Sequence, residues 1–84
     1  MVVFLNQNIS VAAVFKGGDV FPRWFLYCGR KVAVQEVTYT WKEQKGAAML
    51  HHFAVSDGAN LYDIAFQPVA LSWSIEAVED GARL

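Results

Sequence analysis

A chain of 84 residues with a single cysteine cannot close a disulfide within itself, and a net charge of −1 sets it apart from strongly basic nucleic-acid binders. Hydrophobic residues make up 55% of it, more than so small an interior can hold comfortably, since a domain this size buries only about 60–65% of the surface its unfolded chain exposes. The whole chain, 1–84, is expected to form one small domain with an exposed apolar surface, the usual sign of an interface.

The β-branched and aromatic residues, broken by turn residues at short intervals, predict an all-β fold: an antiparallel meander of six or seven strands curled into a small barrel or half-barrel. Val2 to Leu5 is the first expected strand, Asn6 to Asn8 a turn, and Ile9 to Phe15 the second strand. KGGD at 16–19 supplies two glycines for a tight turn, and Pro22 is taken as the end of that loop. Arg23 to Tyr27 is a short strand, and CGRK turns into a long run from Lys31 to Glu43. The apolar parity of that run switches near Gln35 and Glu36, which predicts a bulge or sharp bend there. QKG at 44–46 closes the next hairpin, Ala47 to Val55 is a strand, and the Asp57-Gly58 pair within SDGAN is a hairpin signal. Leu61 to Gln67 returns and Pro68 breaks it. Ala70 to Val78 is the last strand, with a helix near 69–79 as the rival reading, a short helical turn over Ser74 to Asp80 as a lesser one, and a frayed tail at EDGARL.

The apolar start, MVVFLNQNISVAAVF, lacks a basic leader and is interrupted by Asn6, Gln7 and Asn8, so it does not read as a signal peptide. No run approaches the ~18 apolar residues of a membrane span. A lone cysteine suits a reducing compartment, so a cytoplasmic location is expected.

Candidate chemistry is sparse. His51 and His52 are adjacent, and consecutive side chains on a strand point to opposite faces, so the two cannot share one metal ion. Asp63, across the Asp57-Gly58 hairpin, is a candidate partner for one of them as a cross-strand ion pair. Cys28 at a hairpin tip, beside Arg30 and Lys31, reads as a small hydrophobe before it reads as a nucleophile. No metal-ligand spacing, phosphate loop or catalytic triad is visible, so neither an enzyme nor a cofactor is expected.

Charge and aromatics are unevenly spread. Residues 16–45 hold six of the seven basic side chains and three acids, a net of +3, whereas residues 46–84 net −4. Seven of the twelve aromatics fall between residues 15 and 45, almost the same segment, which raises a specific alternative. Aromatic platforms beside lysine and arginine are how small β domains hold single-stranded nucleic acid. The candidate residues for that role are Arg23, Phe25, Tyr27, Arg30, Lys31 and Lys42, with Arg23, Phe25 and Tyr27 on one strand face. The competing expectation is that these aromatics are core and that the domain is a non-catalytic interaction module, a homodimer or a unit docking on a larger protein.

The run WFLYCGRKVAVQEVTYTW, followed by HHFAVSDGANLYDIAF and LSWSIEAVED, resembles a type of short bacterial β protein with no assigned function. A Gly-Arg turn, a Val-rich strand, a Trp, a DG hairpin and a closing W-x-I-x-x-V stretch follow one another in it. Similar segments occur at the end of some proteins related to translesion DNA polymerases. The resemblance covers residues 24–80, leaves out residues 1–15, and implies an accessory role in nucleic-acid metabolism with no catalytic residues.

Overall fold

The computed structural model describes residues 1–81. Eight antiparallel strands form two sheets. Strands β1 (Val2–Ile9), β5 (Glu36–Lys45), β6 (Ala48–Ser56), β7 (Leu61–Gln67) and β8 (Ser72–Glu79) make a five-stranded sheet in the order β1-β8-β7-β6-β5. Strands β2 (Val11–Lys16), β3 (Asp19–Tyr27) and β4 (Arg30–Ala33) make a three-stranded sheet in chain order. Among the described residues no helix is long and apolar enough to cross a membrane.

The core lies between the sheets. Phe25 and Val32 enter it from the three-stranded sheet, and Phe53, Val55, Tyr62, Ile64, Phe66, Trp73, Ile75 and Val78 from the five-stranded one. Alternation explains which residues these are: Phe53 and Val55 face inward on β6, and their partners Ile64 and Tyr62 face inward on β7. The Phe25 and Tyr62 rings meet edge to face at 5.2 Å, joining the two sheets.

The chain changes sheets twice. It does so at Ser10, whose carbonyl accepts from the Leu26 amide at 3.0 Å, and at Val34–Gln35, where the Gln35 amide donates to the Ser56 carbonyl at 2.8 Å. The second corner is the bend expected near Gln35 and Glu36, and it divides the 31–43 run into β4 and β5. A register shift between Val37 and Tyr39 follows it. That division accounts for eight strands where six or seven were expected.

Three boundaries differ from expectation. Asn6–Asn8 is not a turn: β1 runs through it and absorbs the polar residues in a register shift between Phe4 and Gln7 against β8. Pro22 lies inside β3 rather than ending a loop. The extra residue Arg23 sits between the pairs Ala12–Trp24 and Ala13–Pro22, a bulge at which a missing amide costs no ladder bond. At the end of the chain, Ser72–Glu79 is strand throughout, so no helical turn forms over it; Leu71 is left at φ 53° in the preceding turn.

The expected hairpins at residues 17–18, 28–29, 46–47 and 57–60 all form. At the tip of the fourth, Asp57 organises the turn: Oδ1 accepts from the Ala59 and Asn60 amides at 2.9 and 2.8 Å, and Oδ2 accepts from the Tyr62 hydroxyl at 2.8 Å. Gly58, at φ 97°, packs against the Gln35 amide, where a Cβ would come within 2.9 Å. This hairpin is therefore pinned to the sheet-crossing corner.

Candidate functional site

Two features stand out from the regular ladders. The first is on the outer face of the five-stranded sheet. Strand alternation sends His51 inward, toward Phe66, and His52 outward. His52 is nonetheless buried, because it lies flat against the neighbouring indole: the Trp41 ring stacks on it at 4.7 Å and 8°. Tyr39, two residues back on β5, stacks on Trp41 at 5.5 Å and is exposed.

Both ring nitrogens of His52 are held by carboxylates. Nδ1 meets Asp63 Oδ1 at 2.8 Å and Nε2 meets Glu43 Oε1 at 2.7 Å. Asp63 is the cross-strand partner expected from the Asp57-Gly58 hairpin. Glu43 is a second partner that sequence reasoning missed. The hairpin over residues 45–48 carried its signal, for its register sets Trp41 opposite His52 and Glu43 one diagonal step away.

Burial alone would push the His52 pKa down. The hydrogen bonds from Asp63 and Glu43, aided by the two negative charges, outweigh it and hold the imidazole above its ordinary value. Burial pushes the Asp63 carboxyl up, reinforced by the nearby Glu76 and Glu43 charges, against the lowering effect of His52. An imidazole with both nitrogens engaged has no free lone pair for a metal or a substrate proton. The array is thus a clamp on the sheet face, and among the described residues no group of three or more His, Cys, Asp or Glu side chains is arranged to hold a metal ion.

The second feature is a cleft of about 700 Å³ that opens between the sheets. One wall is the β2–β3 hairpin, with Phe15 and residues 18–21. The other is β5, with Val37 and residues 40–42. His51, Phe53, Phe66 and Pro68 form its floor. The ladders account for the opening. β4 pairs with β3 only from Trp24 to Tyr27, so Asp19–Pro22 is left with one free edge, while β5 pairs with β6 alone. Past the corner at Gln35, β5 diverges from β3 and leaves two unpaired strand edges bordering a gap.

The six residues considered for nucleic-acid contact do not form one surface. Phe25 is fully buried in the core, which removes its ring from any stacking role. Tyr27 leans on Tyr62, with ring centroids 6.3 Å apart. Arg30 and Lys31 are exposed at the start of β4, and Lys31 Nζ lies 4.7 Å above the Trp24 ring. Arg23 occupies the β3 bulge and is exposed. Lys42 lies opposite His51 and borders the cleft, four residues along the β6 ladder from the Val55–Tyr62 pair that Tyr27 approaches. Cys28 is exposed in the turn at φ 53°.

With this geometry in hand, comparison with protein-family models, curated proteins and solved structures returns no match. What fold and site define is a class only, a small two-sheet antiparallel β domain with an inter-sheet cleft.

Proposed function

We propose that the protein is an interaction module that associates through the outer face of its three-stranded sheet, with a second copy of the chain as the partner. The observation that carries this reading is an apolar row on that face. Val14 pairs with Phe21, Ala12 with Trp24, and Trp24 with Ala33, all on the side opposite Phe25 and Val32. Val14, Phe21 and Leu26 are each more than 40% exposed. Contiguous apolar surface of this kind on a small domain is characteristic of an interface. A two-fold contact would lay the row against itself and displace Lys31 from the Trp24 ring. The passage of the chain from one sheet to the other at Ser10 and at Val34–Gln35, with each corner bonded to the sheet it joins, supports reading the architecture as a half-barrel with this face on its convex side.

Sedimentation equilibrium tests the proposal. The native chain is expected to reach twice its monomer mass at tens of micromolar, and Leu26→Glu to remain monomeric with unchanged circular dichroism. A native chain that stays monomeric at millimolar concentration refutes it. Salt-sensitive binding of a labelled single-stranded oligonucleotide, lost when Arg30 and Lys31 are changed together to Glu, would instead favour an accessory role on nucleic acid.

A further inference from the structure

The inter-sheet cleft is bordered by something other than side chains. Along β5 from Val37 to Lys42, one edge bonds to β6 and, among the described residues, the other has no strand beside it. Along β3 from Asp19 to Phe21, one edge bonds to β2 and the other is equally free. Unpaired edges present rows of amide and carbonyl groups that accept an added strand, and natural domains usually cover or blunt them. Here neither edge has a strand partner among the described residues, and the space between them is floored by Phe53, Phe66 and Pro68, with Phe15 at the side. An extended segment entering it would meet hydrogen-bonding backbone along its edge and apolar surface beneath it.

The charge at the rim differs in sign between its two walls. Lys42 and His51 are directly opposite each other on β5 and β6 and both line the cleft. Among the described residues no carboxylate lies within ion-pair distance of Lys42. Asp19 is on the far wall, beside β3. An acidic side chain on the occupant is therefore favoured against β5 and disfavoured against β3.

We propose that this slot binds an extended peptide segment carrying an acidic side chain, which adds itself as a strand to the free edge of β5 with its acid beside Lys42. The extended form is set by the two open edges, the alternating apolar residues by the aromatic floor, and the acid by the unpaired lysine. The site shares Phe21 with the outer face of β2–β4 but not Val14, Trp24 or Leu26, so a change at Leu26 addresses self-association alone.

The test uses the whole chain and three probes. These are a capped seven-residue peptide of alternating valine and threonine with a central glutamate, the same peptide with a central lysine, and decanoate as a small amphipathic acid. Intrinsic tryptophan fluorescence, to which Trp41 contributes from the cleft wall, follows binding, and amide hydrogen exchange follows β5. The glutamate peptide is expected to bind saturably and to slow exchange at alternate β5 amides between Val37 and Lys42, those turned away from β6, by tenfold or more. The lysine peptide is expected to bind about fivefold more weakly, the scale of one solvent-exposed charge pair. The exposed substitution Lys42→Glu should reverse that order. Four results overturn the proposal: no binding of the glutamate peptide at millimolar concentration, binding that leaves the β5 amides unchanged, equal binding of the two peptides, or decanoate binding that excludes the peptide without protecting β5. Because Leu26→Glu leaves the slot intact, the same titration on that variant separates failure here from failure of self-association.

Discussion

Phe25→Ala lowers the free energy of unfolding by about 3–5 kcal/mol, the loss expected when a fully buried aromatic is truncated in a packed core. The ring has no exposed surface, meets Tyr62 edge to face, and with Val32 is what the three-stranded sheet buries in the common core, Val11, Ala13, Val20 and Tyr27 packing only partly buried against it. A domain of this length has a total stability of about 5–10 kcal/mol, so the substitution removes from about a third to all of it. Urea unfolding followed by tryptophan fluorescence measures the change. Leu26→Ala on the neighbouring position, half-exposed on the other face, is the control and should cost under about 1 kcal/mol. If the two substitutions cost the same, Phe25 does not hold the sheets together as described.

His52→Ala lowers stability by about 2–4 kcal/mol, the second-largest effect expected. It removes the ring that Trp41 covers and leaves the partly buried Asp63 carboxylate, with Glu43 nearby, without a donor. If the cost is chiefly that of stranded carboxylates, the double variant His52→Leu/Asp63→Leu recovers much of it, because paired apolar replacement avoids an unmatched charge. The same clamp sets a pH dependence. A His52 pKa raised in the folded state means that its contribution is complete below the unfolded imidazole value, about 6.5, and is lost as pH rises through the folded value. The raised Asp63 carboxyl acts in the same direction at lower pH. Unfolding free energy should therefore decline from pH 6 upward, and His52→Gln should flatten that decline. A native protein whose stability rises between pH 6 and 8 contradicts the clamp.

Much of the architecture was legible in the residues because its signals are local. Gly17-Gly18, Cys28-Gly29 and Asp57-Gly58 mark turns by backbone conformation alone, and the parity switch near Gln35 marks a corner by alternation alone. The divergence of His51 and His52, and Asp63 as a partner for one of the two, followed from the same period of two; that the partner is His52 is set by the structure. The readings that failed depend on partners distant in the chain. Asn6–Asn8 look like a turn until β8 supplies a ladder that tolerates a bulge, and Pro22 looks like a strand breaker until Arg23 is extruded beside it. Phe25 and Trp24 are both aromatic and adjacent. Only the arrival of Tyr62 from the other sheet decides which is core. The cleft had no local signal at all, since it arises where β5 departs from β3.

The two crossings at Ser10 and at Val34–Gln35 carry a mechanical corollary. Two continuous lengths of backbone, residues 2–16 and 30–45, each belong half to one layer and half to the other. Peeling either layer away would drag its neighbour's edge with it. The protein should consequently melt as a single cooperative unit, with the slowest-exchanging amides of both layers opening together, and neither half should survive excision as a folded fragment.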